Sequence, residues 1–216
     1  MNVAVIWHYL PLLLKGCVAT IEVSMLAGVA ALLLGVTVAL ARVAPILSLR
    51  QLARWYIELL RGTPVLVMIY FAYYGLPAIG ITLGPMVAAV GALGISSSAY
   101  VAEALRGGIE SIPRGQIEAG RALGITYVQT MRRLILPQIV LFLLPALTGE
   151  FVVLLKASSL TSIITVRELT WMGQVAAGES FAAVDIYVTV ALLYLLINSV
   201  IFRAAQWLEA RRMVYL

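Results

Sequence analysis

Charged residues are sparse along this sequence, and the stretches between them set its architecture. Val23–Ala41 holds 19 uncharged residues between Glu22 and Arg42, close to the roughly 20 apolar residues that a transmembrane helix needs. Gly62–Ala102 is free of charge over 41 residues, about twice one crossing. It is punctuated by Gly75-Leu76-Pro77, Gly80 and Gly84-Pro85, breakers that predict two helices joined by a short turn. A fourth span is predicted from about Leu134 to Leu155, with one acid, Glu150, inside it, and a fifth over Ile186–Phe202, between Asp185 and Arg203. Ahead of the first span, Val3–Leu14 is apolar but only 12 residues long and contains Pro11, which predicts an interfacial lead-in.

Between the first two spans the pattern changes period. Ile46, Leu49, Leu52, Ala53, Tyr56, Ile57 and Leu60 recur at spacings of three and four, with Arg50, Arg54, Glu58 and Arg61 elsewhere. That is an amphipathic helix suited to the membrane interface. The basic residues then orient the chain. Arg42, Arg50, Arg54 and Arg61 lie between spans one and two, Arg106, Arg114, Arg121, Arg132 and Arg133 between three and four, and Arg203, Arg211 and Arg212 after the fifth. By the positive-inside rule this side is the cytoplasm, so the N-terminus is expected outside and the C-terminus inside. The outer side receives Lys15, Lys156 and Arg167 and one long segment, about Ser158 to Val184.

Composition agrees with a membrane solvent: 62% hydrophobic, 12% charged and a mean hydropathy of +1.02. One membrane domain over 1–216 is expected. The net charge of +5 does not indicate nucleic acid, because the basic residues are not gathered on one duplex-binding face. Cys17 is the only cysteine, which excludes an internal disulfide and a paired-thiolate site. The N-terminus lacks the order of basic stretch, apolar core and small-residue cleavage site that marks a secretory signal. No Gly-x-x-x-x-Gly-Lys-Ser/Thr phosphate loop and no Gly-x-Ser-x-Gly occur, and no paired acids stand at metal-ligand spacing. No catalytic or metal-ligating residue and no cofactor of the chain's own are therefore expected.

The most informative segment is 111–137. Ser111-Ile112-Pro113 suits a helix start, Gly124 is placed to end that helix in a left-handed conformation, and Thr126 with Gln129 has the spacing of a capping box opening another. Within the short helix, Gly115, Ala119 and Ala122 fall at spacings of four and three and form a face with little side-chain bulk, while Glu118 and Arg121 stand at i, i+3. Such a face lets another protein's groove approach the backbone. It also fits an interfacial helix held by anionic lipid.

Glu118-Ala119-Gly120, then Gly124, then Leu136-Pro137 resembles the cytoplasmic EAA loop of ABC-importer permeases: Glu-Ala-Ala, three residues, Gly, nine residues, Ile, any residue, Leu-Pro. Gly120 stands for the third small residue and Leu134 for the isoleucine. Arg61-Gly62-Thr63-Pro64 with Tyr70, Tyr73-Tyr74 and Gly75-Leu76-Pro77 is similar to the second span of the histidine, glutamate, glutamine, arginine and opine branch. Tyr100-Val101-Ala102-Glu103, Arg106-Gly107-Gly108-Ile109 and Ile112-Pro113-Arg114-Gly115-Gln116 resemble that branch's approach to the coupling helix. Lys156, Ser158, Ser159 and Leu160 resemble its run after span four, but Ala157 stands where an acid is usual and Gly149 where asparagine is.

The resemblance implies an all-α transmembrane fold of the five-helix type I importer permease, with a cytoplasmic coupling helix that docks into a cleft of an ATPase subunit. Arg114, Gly115, Glu118, Ala119, Gly120, Ala122 and Gly124 are the expected coupling residues. It also implies a bacterial inner-membrane location, a second permease subunit, two ABC ATPase subunits holding ATP and Mg, an extracytoplasmic amino-acid-binding protein, and alternating access. Glu150 is expected either to meet the substrate's amino group, as an acid at this point does in the family, or to be a structural acid paired with Lys156 or a neighbouring arginine. Glu103 and Arg106, at i, i+3, are expected to pair and orient the coupling loop.

Ser96, Ser97 and Ser98 read as helix-packing residues in preference to pore lining, Gly62, Thr63 and Pro64 as the shape of the entry to span two, and Tyr70, Tyr73 and Tyr74 as an interfacial aromatic belt. His8 and Cys17 suggest no special chemistry. A methionine-type permease of similar length is the alternative within the class. An intramembrane enzyme or a simple channel are alternatives outside it, the first lacking a catalytic constellation and the second leaving the coupling segment unexplained.

Overall fold

The computed structural model describes residues 2–130, 133 and 136–213, and the regular elements among them are all helical. In chain order they are α1 (Val3–Val43), α2 (Leu47–Gly62), α3 (Val65–Tyr70), α4 (Pro85–Glu110), α5 (Arg114–Ala122), α6 (Tyr127–Thr130), α7 (Leu136–Ala157), α8 (Leu169–Ser180) and α9 (Ala183–Met213). Met131, Arg132, Leu134 and Ile135 lie outside the described residues, so the predicted start of span four and the isoleucine-equivalent position do too.

The expected lead-in is not a separate element. α1 runs unbroken for 41 residues through Pro11. A proline removes only one helical hydrogen bond, and here long-range packing holds the helix on either side of it: Leu13 and Cys17 are buried in one cluster with Leu169, Ala176, Ile186 and Val190 of α8 and α9. α7 likewise continues through Pro145.

Small residues explain how α1 and α4 meet. The buried face of α1 includes Gly16, Thr20, Ser24, Ala27, Ala31, Gly35 and Ala39, and that of α4 includes Ala88, Ala92, Ser98 and Ala102. A β-carbon on Gly94 would stand 2.9 Å from Ala30 Cβ, and one on Gly35 would stand 2.6 Å from a Val101 methyl. The two backbones approach closely because nothing larger intervenes, the usual solution where lipid removes the hydrophobic drive between helices.

α1, α4, Leu143–Ile164 and Ala183–Trp207 are each long and apolar enough to cross a membrane. The predicted second span is shorter than its sequence suggested. α3 continues as a π turn (Phe71–Gly75) and a 3-10 turn (Leu76–Ile79) and stops at Gly80 with φ of 83°; its fifteen residues reach only about 22 Å. It passes as a fifth span only together with α2, from which it bends by 101°. Gly84 and Pro85 then open α4 as the pattern predicted.

α2 is amphipathic, as expected, but its apolar stripe divides. Ala53 and Ile57 are buried, and Tyr56 OH shares a 2.7 Å hydrogen bond with Ser98 Oγ of α4. Ile46, Leu52, Trp55 and Leu59 remain exposed, a surface for lipid or another chain. The segment after α7 folds back on the bundle. Leu169 N donates to Thr20 Oγ1 at 3.1 Å, and Gly16 leaves room for Leu169, whose Cα would stand 2.8 Å from a β-carbon there.

Candidate functional site

Two places carry the sequence-predicted residues: a hairpin made by α5 and α6, and a cavity beside Glu150.

The hairpin is built from short-range hydrogen bonds. Gln116 N donates to Pro113 O at 3.0 Å, opening α5. At its other end Gly124 takes φ of 72° and Ile125 N donates to Gly120 O at 3.0 Å, the six-to-one bond of a Schellman motif. Thr126 and Gln129 then exchange bonds, Thr126 N to Gln129 Oε1 at 3.1 Å and Gln129 N to Thr126 Oγ1 at 3.3 Å. This is the reciprocal capping box that the spacing predicted. Gly115, Glu118, Ala119, Ala122 and Gly124 are exposed.

Gly120 departs from the other residues expected to couple. It is buried, and a β-carbon there would meet Thr130 Oγ1 at 2.5 Å, so it serves the closure of α5 on α6 and not the outer face. Leu123, which sequence reasoning passed over, is 76% exposed at the tip of α5. Its signal was available: a leucine immediately before a terminating glycine, outside any apolar period.

At the end of α4, Arg106 Nε donates to both Glu103 carboxylate oxygens at 3.0 Å, and Arg106 also pairs with Glu110. The Arg106 side chain is about three-quarters buried, and its pairs with these acids tie the last two turns of α4 into one unit directly before the hairpin.

Glu150, on α7, lines two adjoining cavities. One, of about 320 Å³, is walled by apolar residues of α1, α4 and α7, among them Met25, Val29, Leu147 and Phe151. The other, of about 490 Å³, is lined by Arg61, Gly62, Thr63, Pro64, Ser96, Ser97, Tyr100, Glu150 and Ala157, among others. Ser97, on α4, lines both cavities together with Glu150. The structure thus brings together residues that the sequence reading kept apart. Ser96 and Ser97 stand on the cavity wall beside Glu150, whereas Ser98 is a packing residue bonded to Tyr56 and to Ile95 O. Gly62, Thr63 and Pro64 occupy the break between α2 and α3 and form another part of the same wall. Among the described residues Glu150 makes no ion pair, with Lys156 or with any arginine.

The remaining expectations are placed simply. Tyr70 and Tyr74 are exposed, with ring centroids 5.8 Å apart, in the manner of an interfacial belt. His8 packs edge-on against Tyr9 at 4.8 Å, and Cys17 is buried as a free thiol. No group of three His, Cys, Asp or Glu able to hold a metal occurs among the described residues.

Comparison with known proteins matches this arrangement. Residues 31–214 fit the family described as "Binding-protein-dependent transport system inner membrane component". The glutamine transport system permease protein GlnP of Escherichia coli is 36% identical over 208 residues, covering 95% of each chain. The probable glutamine ABC transporter permease protein GlnM of Bacillus subtilis is 34% identical and covers 98% of each. Among solved structures, that of an amino acid ABC transporter with histidines superposes with a TM-score of 0.92 at 34% identity, covering 98% of this chain and 99% of its own. An inward-facing MetNI methionine ABC transporter shares the fold, with a TM-score of 0.73 at 20% identity over the same shares. The exposed small-residue hairpin, the multi-pass bundle and the family match agree: the chain belongs to the binding-protein-dependent transport system inner membrane components, the pore-forming permease subunits of ABC importers.

Proposed function

We propose that this permease imports polar amino acids, with Glu150 taking the ammonium group of the substrate. The observation that carries the reading is the placement of Glu150: an acid inside the bundle, without an ion-pair partner among the described residues, on the wall of two cavities. An unpaired ionisable group at membrane depth is costly and by default marks a pathway. The names of the relatives, glutamine permeases among them, supply the amino-acid class. The greater identity to the amino acid transporter than to the methionine transporter favours the polar branch.

In this reading a second permease subunit, identical or paralogous, completes the pathway. Two ATPase subunits bind ATP and Mg, and each grips an α5 through Gly115, Glu118, Ala119, Ala122 and the flanking Arg114. Glu103 and Arg106 orient the hairpin on α4. The N-terminus lies outside, where an amino-acid-binding protein delivers substrate, and the C-terminus lies in the cytoplasm, as the arginine distribution supports. Closure of the ATPase pair draws the two hairpins together and turns the cavity outward.

The test is uptake into vesicles holding the permease, its ATPase and its binding protein, with unlabelled amino acids competing against a radiolabelled one. Uptake that requires ATP and the binding protein, and that polar amino acids suppress, is expected. Uptake indifferent to ATP, or competed by no amino acid, overturns the reading.

A further inference from the structure

Among the described residues, the non-glycine positions with positive φ are Thr165 at 64° and Phe181 at 54°. They stand on either side of α8 and its cap, Glu168. A β-branched or bulky side chain in the left-handed region is a backbone outlier that its surroundings must hold in place, so α8 is a short helix entered and left through strained turns. It is wedged between two others: Leu169 and Ala176 share one apolar cluster with Leu13 and Cys17 of α1 and with Ile186 and Val190 of α9.

Polar contacts that tie α8 to its neighbours meet at its first turn. Leu169 N donates to Thr20 Oγ1 of α1 at 3.1 Å, Tyr194 OH of α9 donates to Glu168 Oε2 at 2.6 Å, and Thr170 Oγ1 and Tyr194 OH share a bond of 3.0 Å. Glu168 also accepts from Thr170 N and Trp171 N at 2.8 Å, capping α8. Glutamate lies outside the short polar residues preferred as caps, so the cap alone does not call for it. The longer side chain lets one carboxylate serve α8 and α9 together. Glu168 is fully buried and has no ion-pair partner among the described residues; the Arg167 guanidinium carbon stands 5.5 Å from the centroid of the Trp171 ring. Burying an acid without a cation is costly, and in a membrane protein such a group marks function by default.

We propose that α8 is a releasable clamp between α1 and α9, that Glu168 is its positioning residue, and that transport requires α8 to shift against α9 about Thr165 and Phe181. This rests on the reading of the chain as a permease that opens its two sides in turn, and it adds which element moves and what restrains it. The bonds from Thr170 N and Trp171 N lie within α8 and travel with it. The Tyr194 bond crosses to α9 and must break. Movement about Thr165 and Phe181 lets both leave the left-handed region, which lowers the cost of release.

The experiment is a reversible lock. A β-carbon on Gly173 would stand 3.9 Å from that of Val190, within the range of about 3.5–4.5 Å that a disulfide spans. Gly173→Cys with Val190→Cys, in a Cys17→Ala background, joins α8 to α9 on oxidation. In vesicles holding the permease, its ATPase and its binding protein, oxidation is expected to stop uptake and reduction to restore it. Tyr194→Phe, which removes only the crossing hydroxyl, is expected to raise ATP hydrolysis in the absence of substrate about five-fold, the population shift that one hydrogen bond supports. A merely destabilised complex would lose hydrolysis.

ATP-driven uptake that persists in the fully oxidised pair overturns the proposal. Should the reduced pair be inactive as well, Tyr194→Phe decides alone: unchanged or lowered hydrolysis overturns the proposal, and a rise supports it. If the lock stops uptake while Tyr194→Phe changes nothing, the moving clamp stands and the role of Glu168 falls. Wild-type uptake that ignores ATP sinks the importer reading itself, whatever the lock does.

Discussion

A β-carbon on Gly120 would stand 2.5 Å from Thr130 Oγ1 and 2.9 Å from its methyl group, so α5 closes on α6 only around a glycine. The glycine at this position of α5 is required by a residue ten places along the chain, within the hairpin itself.

Gly120→Ala is accordingly expected to spring the hairpin, with the cost of overpacking, about 1–3 kcal/mol, falling on local stability. Thr130→Ala leaves only a Cβ at 3.3 Å and should be tolerated alone. Combined with Gly120→Ala it should recover coupling. Substrate-stimulated ATP hydrolysis in the reconstituted complex reads this as a double-mutant cycle; a Gly120→Ala single variant with undiminished stimulation contradicts the packing.

Gly124 terminates α5 with φ of 72° and has open space around its α-carbon. Substitution there is a backbone effect alone. Gly124→Ala should cost about 1 kcal/mol, and Gly124→Asn less, because asparagine tolerates the left-handed region. Hydrogen exchange of the Leu123 and Ile125 amides, bonded to Ala119 O and Gly120 O, should quicken in the order Gly, Asn, Ala.

These two cases show what was legible in the sequence. The end of α5 and the capping box depend on residues within six places of one another, so their spacing carried them. The cavity could not be read in the same way, because Arg61, Ser97 and Glu150 come to line one space only through the packing of α2, α4 and α7. Glycine at 120 looked like a mild replacement until Thr130 was in place beside it. Pro11 misled for the converse reason: a local breaker signal was overridden by the burial of Leu13 against α8 and α9.

Glu168 is fully buried at the start of α8, where it accepts from Thr170 N and Trp171 N at 2.8 Å and from Tyr194 OH at 2.6 Å. Burial outweighs these bonds and pushes its carboxyl above the ordinary range. The folded state then holds a proton that the unfolded chain has released, so its contribution to stability is present below the ordinary carboxylate pKa of about 4.3 and is lost as pH rises through the raised value. Hydrogen exchange of α8 amides should therefore quicken with rising pH beyond the intrinsic rate. Glu168→Gln should flatten that dependence, and an unchanged slope contradicts it.

Glu150→Ala should abolish uptake while the complex still assembles, because the residue meets a cavity and no ion pair among the described residues depends on it. Uptake assays beside size-exclusion chromatography of the assembled transporter separate the two effects. Wild-type uptake by the variant contradicts the assignment, and loss of assembly would make Glu150 a structural acid.

The central claim is that the exposed face of α5 is a handle for the ATPase on the cytoplasmic side. It is tested most directly by placing a cysteine at Ala119 in a Cys17→Ala background and labelling it with a membrane-impermeant thiol reagent in vesicles of known sidedness. The account predicts labelling only from the cytoplasmic face, and protection when the ATPase is bound. Labelling from the outer face, or labelling that the ATPase leaves unchanged, would contradict it.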